Sequence, residues 1–170
     1  MEALAGPLAL ILPVVAVAAA VHDVATYKIP NWMSAVLLAA FIPAALAAGM
    51  EPRAIAIGAL LGLLALFAGM GLFAANLLGG GDAKILAAMT PFMGVAALPQ
   101  FMLFTALTGG LVALIFLLAR KGPSWLRARG PGWRRRLMTP GEPLPYGVAI
   151  CVGALAAYPA GDIGRVAFGG

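Results

Sequence analysis

Apolar residues run through this chain in long uninterrupted blocks. No Asp, Glu, Lys or Arg occurs in residues 32–50, 54–81, 85–119 or 143–161, and residues 3–22 carry only His22 as a titratable group. The blocks are rich in Ala and Leu, and short polar or breaker-rich strings separate them: YKIPN, MEPR, NLLGGGD, LPQ and a long basic stretch. A helix that crosses a bilayer needs about 20 such residues. The pattern predicts six spans, at about 4–22, 32–49, 54–76, 83–98, 101–119 and 144–161. The block 85–119 is too long for one ordinary span and short for two. Pro91 and the Leu98-Pro99-Gln100 string predict a tight hairpin there.

Composition turns this pattern into a class. Of the 170 residues, 63% are hydrophobic and 10% charged, whereas soluble domains carry about 25% charged residues. A soluble fold of this length could not hide so much apolar surface. The expectation is an all-α integral membrane protein of a single domain, 1–170. The net charge of +5 does not point to nucleic acid, because seven of the eleven basic residues fall in one loop, at Arg120, Lys121, Arg127, Arg129, Arg134, Arg135 and Arg136. Such a cluster beside a span marks the cytoplasmic side and lies against anionic inner-leaflet headgroups. Trp125 and Trp133 within it suit the headgroup layer.

Placing that basic loop (120–142) in the cytoplasm sets the remaining sides. Lys28 and Lys84 then fall inside, and Arg53 and Arg165 outside, so the positive-inside bias holds without adjustment. The N-terminus is expected outside. Residues 3–21 resemble a signal peptide, but the leading region carries Glu2 and no Lys or Arg, which favours an uncleaved first span. The single Cys151 forms no intrachain disulfide and excludes a multi-cysteine zinc site.

Against this background two acids stand out. The chain holds six Asp and Glu together, and Asp23 and Asp82 each sit at the edge of an apolar block, within HDVATYKIPN and GGGDAKIL. Carboxylates at membrane helices are rare and usually functional. Two predicted crossings separate them, so both should face the cytoplasm and could meet. Two carboxylates a few ångströms apart cannot easily both ionise, and one shared proton equips them for hydrolysis. The ionised group takes a proton from water; the protonated one polarises a carbonyl. Asp82 could instead simply cap the fourth span.

The flanking residues admit both a mechanical and a functional reading. Gly79, Gly80 and Gly81 can end one helix and let a substrate strand lie against the backbone. Pro30 opens the second span, and Asn31, after Ile29, can bond local backbone or substrate. His22 adjoins Asp23 but reads more simply as an interfacial residue.

At these strings the chain resembles the type IV prepilin peptidases, membrane aspartic proteases. That family's pattern is an Asp, five residues, Ile-Pro-Asn, and later GxGD. Here these are Asp23, Ile29-Pro30-Asn31 and Gly79-Gly80-Gly81-Asp82, with Lys84 following as is usual there. The PYGVAI string at 145–150 resembles a further family feature. The chain lacks the cytosolic insertion and the cysteine pairs of the larger members, and so resembles the short CpaA/TadV-type branch. The resemblance implies removal of a short basic leader from type IV or Flp-type prepilins at the cytoplasmic face of a bacterial plasma membrane. Asp23 and Asp82 would be the catalytic pair, and Gly79, Gly81, Lys84, Ile29, Pro30 and Asn31 the supporting motif. It implies no metal or cofactor, no methyltransferase activity, and pilus assembly machinery as a possible partner. Two other readings stay open: an intramembrane aspartic protease of the presenilin type, and a non-enzymatic component or proton carrier of a secretion apparatus.

Overall fold

The computed structural model describes residues 2–121 and 144–168. Most of the basic loop, with both of its tryptophans, falls outside the described residues. Those described contain helices and no strand: α1 (Glu2–Ala9), α2 (Ile11–Thr26), α3 (Asn31–Ala47), α4 (Pro52–Ala74), α5 (Gly80–Arg120), α6 (Tyr146–Ala157), a 3-10 turn (Tyr158–Ala160) and α7 (Asp162–Phe168). Three stretches are long and apolar enough to cross a membrane: Ala5–Thr26, Pro52–Ala74 and Gly80–Arg120. Asn31–Ala47 and Tyr146–Ala160 are shorter apolar helices. Leucines and phenylalanines on the outer faces of α4 and of the second half of α5 are half exposed, among them Leu60, Leu64, Phe67, Leu107 and Leu118. Such faces suit lipid rather than water, and the chain is an integral membrane protein.

The first apolar helix is interrupted between α1 and α2. Pro13 has no N–H to give the Ala9 carbonyl four residues before it. The buried Tyr158 hydroxyl donates to that carbonyl instead, at 2.7 Å. The helix then runs four residues past the boundary at 22 expected from sequence, so Asp23 lies inside α2 rather than beyond it.

α5 needs a closer reading. Its 41 residues would span about 60 Å if straight, twice a bilayer's hydrocarbon core. It is not straight: Gly94 has φ 58° and ψ −169°, a region essentially reserved for glycine. Before this break, α4 runs antiparallel to it, with Gly69 facing Ala83 and Gly62 facing Ala87 and Pro91. After it, α6 runs alongside, with Gly153 near Phe101 and Thr105 and Gly109 near Tyr146 and Ala149; past the end of α6, Gly161 sits against Phe92 and Met93 at the break itself. The chain therefore travels from Asp82 to Gly94 and returns. The reversal falls at Gly94, not at the expected Leu98-Pro99-Gln100, and Pro99 lies within the returning helix.

The core forms where α5 packs against α3, α4 and α6, with α2 laid against α6 beside it. Leu12, Leu37, Ile85, Met89, Phe92, Phe101 and Ile150 are essentially sealed from solvent. Phe41 meets Phe92 edge-on at 5.5 Å between centroids. One end of the bundle gathers Asp23, Asn31, Asp82, Tyr146 and Gly147. The opposite end gathers Ala9, Gly94, Tyr158 and the short α7.

Candidate active site

Both motifs fold into tight chain turns at that first end. α2 stops at Tyr27, which adopts the left-handed conformation (φ 57°, ψ 28°) and returns its N–H to the Asp23 carbonyl at 2.7 Å. His22 ties the turn together: its Nδ1 donates to the Lys28 carbonyl at 2.6 Å, and the Thr26 hydroxyl donates to the His22 carbonyl at 2.9 Å. The sequence suggested only an interfacial role for His22. Pro30 is extended (φ −63°, ψ 140°) at the position before α3, and its fixed φ sets the start of that helix. The chain thus reverses between Asp23 and Asn31 and lays Ile29, 8% exposed, against the second motif.

That contact explains Gly81. A Cβ there would come within 3.3 to 3.4 Å of the Cβ, N and O of Ile29, so the two motifs touch backbone to backbone. Gly79 serves a different purpose. It is extended just before α5, and a Cβ on it would lie 2.5 Å from Oδ2 of Asp82. The Asp82 side chain folds back over the start of its own helix, where the Gly79 N–H faces it. The sequence allowed Asp82 as the cap itself; the cap position is instead Gly79, and Asp82 lies three residues on, in the first turn of α5. The other oxygen, Oδ1, is buried without a hydrogen-bond partner. A polar atom left so costs about 1–3 kcal/mol, and such orphans in native proteins call for an explanation.

Asp23 and Asp82 line one cavity of about 470 Å³, together with Ile29, Pro30, Asn31 and Gly79 to Gly81. They are close enough for the charge of one to act on the other. His22, Tyr27 and Lys28 complete the wall. Lys84 is the one motif residue outside the lining: it lies two residues, about half a turn, beyond Asp82 on α5, exposed, and donates to Asn31 Oδ1 at 3.1 Å. In that position it bridges α5 to the start of α3.

One partner was not assigned from sequence. The Gly147 N–H, in the first turn of α6, donates to Asp23 Oδ2 at 2.8 Å. Asp23 is 5% exposed, so this charge-capable bond is shielded from water. A Cβ at Gly147 would fall 2.9 Å from both the Cβ and Oδ2 of Asp23. The PYGVAI string was visible as a feature, but nothing in it names the residue it faces. The two carboxyls are thus held unequally, Asp23 by the start of another helix and Asp82 by its own. Among the described residues no group of three or more His, Cys, Asp or Glu is placed to hold a metal ion.

Neither a curated protein nor a solved structure gives a significant match to the chain. A scan of protein-family models does: residues 10–114 match the type IV leader peptidase family. The matched stretch covers more than half of the chain and contains both aspartates with their flanking strings, though it ends before the 145–150 string. On that match, this chain belongs to the type IV leader peptidase family.

Proposed function

We propose that the protein is a prepilin leader peptidase that uses Asp23 and Asp82 as an aspartic dyad. The observation that supports this most is the shared cavity. Two carboxyls from distant motifs line it, and one of their oxygens, Asp82 Oδ1, has no partner in the resting protein. A shared proton, a bound water or a substrate carbonyl would satisfy that atom.

Hydrolysis then runs without a cofactor. The pair holds one proton between its two groups. Its ionised member takes a proton from a water in the cavity. The water oxygen bonds to the scissile carbonyl carbon, and the protonated member donates to the carbonyl oxygen as negative charge develops there. The C–N bond breaks, the proton taken from water goes to the leaving nitrogen, and the proton given to the carbonyl oxygen returns to the pair as the C=O bond re-forms. The products are a carboxyl-terminated leader and a new amino terminus, and the pair regains its one-proton state. Gly147 orients Asp23, and Gly79 leaves room for Asp82 to turn. The glycine run offers bare backbone along which an extended peptide can hydrogen-bond.

The substrate would be a type IV or Flp-type prepilin with a short basic leader. In this reading the protein crosses a bacterial plasma membrane six times, with its N-terminus outside and the dyad at the cytoplasmic surface. The basic loop would rest on anionic lipid, and pilus assembly machinery would take the product. The test is purified protein in lipid with a prepilin carrying a basic leader. Mass spectrometry should find one cut at the leader junction, unaffected by EDTA. Cleavage inside the substrate's apolar segment, or none at all, would reject the reading.

A further inference from the structure

The carboxylate cavity is not the only opening at that end. A second, larger hollow of about 880 Å³ lies between α3 and α4, floored by the first half of α5. It arises because consecutive helices fail to pack. α4 rests chiefly on α5, and it meets α3 where Phe41 touches Gly58 beside Pro91. From there toward Asn31 the two helices part. The floor is small: Ala83, Ala87 and Ala88, beside Pro91. The walls are Leu38 and Ile42 on one side and Leu63, Leu66, Met70 and Phe73 on the other.

Three features say what this groove takes. First, it is continuous with the carboxylate cavity, because Asn31 and Gly80 line both. A chain with its scissile bond at the aspartates would lead straight into it. Second, the groove runs from Asn31 to Phe41 along α3, about 15 Å at 1.5 Å per residue, or half of a hydrocarbon core. Its occupant therefore enters the membrane, and a peptide there must be helical to satisfy its backbone. Third, a floor of alanines lets a helix approach closely, and small residues are the usual solution for helices packing in lipid. The polar side chains of the groove, Lys84, Asn31 and Ser34, gather toward its mouth, and Lys84 is the one charged residue in the lining. A basic segment would meet the Lys84 charge there, whereas an apolar one would meet none further in.

We propose that this groove binds an apolar helical segment of the substrate, about ten residues long, on the side of the scissile bond opposite the basic leader. The inference rests on the leader-peptidase reading above and adds where the rest of the substrate lies. Binding there draws the bond toward the dyad, so the groove selects substrates that are already inserted in the membrane.

The test uses the full-length protein in lipid and two synthetic substrates. One has a basic leader, the leader junction and an apolar helix of about 20 residues. The other is the same peptide ending a few residues past the junction. Ala59→Trp and Leu63→Trp fill the groove; Leu60→Trp and Leu64→Trp, on the exposed outer face of α4, are controls. The expected result is a tenfold or greater rise in KM for the long substrate with the groove variants alone, and unchanged cleavage of the short one. Equal loss on both substrates, or equal effects from the outer-face controls, would overturn the proposal. A photo-crosslinker at Leu63 should also capture the long substrate, and one at Leu64 should not. Capture of lipid only at Leu63 would overturn it as well. Crosslinking does not require hydrolysis: capture at Leu63 without cleavage would leave the groove standing and remove the peptidase reading instead.

Discussion

A methyl group added at Gly147 would lie 2.9 Å from both the Cβ and Oδ2 of Asp23. Ordinary contact begins at 3.4 Å, so Asp23 or the start of α6 would have to shift by roughly 0.5–1 Å, an overpacking worth about 1–3 kcal/mol. The same shift stretches the 2.8 Å bond from the Gly147 N–H, and a hydrogen bond to a charged group is worth about 1.5–3 kcal/mol. A misplacement of about 1 Å in a catalytic group costs on the order of 100-fold in rate, equivalent to about 2.7 kcal/mol. Gly147→Ala is therefore expected to lower kcat about 100-fold and to leave KM nearly unchanged. Alanine is the better helix former by up to about 1 kcal/mol, so α6 itself should not weaken. The assay is the initial rate of leader removal from a prepilin in lipid vesicles, with insertion and thermal unfolding of the variant measured in parallel. Cleavage within threefold of the unmodified protein, by a variant that inserts normally, would refute the assigned role of Gly147.

Other substitutions test the surrounding frame. Gly79→Ala places a Cβ 2.5 Å from Asp82 Oδ2 and should turn that carboxyl away, abolishing processing without loss of the inserted protein on a membrane-fraction blot. Gly81→Ala meets Ile29 at 3.3 to 3.4 Å; a milder, roughly tenfold fall in rate is expected in the same cleavage assay. Gly94→Ala should act on stability instead, because its backbone conformation costs other residues about 1–3 kcal/mol. Its midpoint in a detergent melt should drop while catalysis at low temperature persists. Since the dyad needs a single shared proton, kcat should fall on both sides of a pH optimum, and a flat profile would argue against a carboxylate pair.

How much of this was readable in the chain varied with the kind of signal. Apolar blocks marked where helices lie, but not their lengths: three described helices are long enough to cross a bilayer, and Asn31–Ala47 and Tyr146–Ala160 are shorter. The two motifs were visible because acids and glycine runs are conspicuous in apolar surroundings, and counting crossings put Asp23 and Asp82 at the same end. The turn at Gly94 was not readable. Proline and LPQ were the louder signals, yet membrane helices tolerate proline when neighbours satisfy the freed carbonyls, and Pro99 sits inside α5. Nothing local distinguished Gly94 from the other glycines. The short α7 was not expected, since the apolar block ends at 161 and seven residues are too few to show a helical period. The bond from Gly147 to Asp23 was out of reach for a different reason: it depends on α6 beginning beside the end of α2, a relation between helices that no local pattern records. The groove between α3 and α4 is likewise a property of how far two helices diverge.

The joint action of the two carboxyls is tested most directly by Asp23→Asn, Asp82→Asn and the double variant, each assayed for leader removal at matched levels of inserted protein. Each single change should reduce cleavage to background, and the double change should do no further harm, since groups that act as a unit are lost as a unit. Residual processing by either single variant, with additive losses in the double, would contradict a shared role for Asp23 and Asp82.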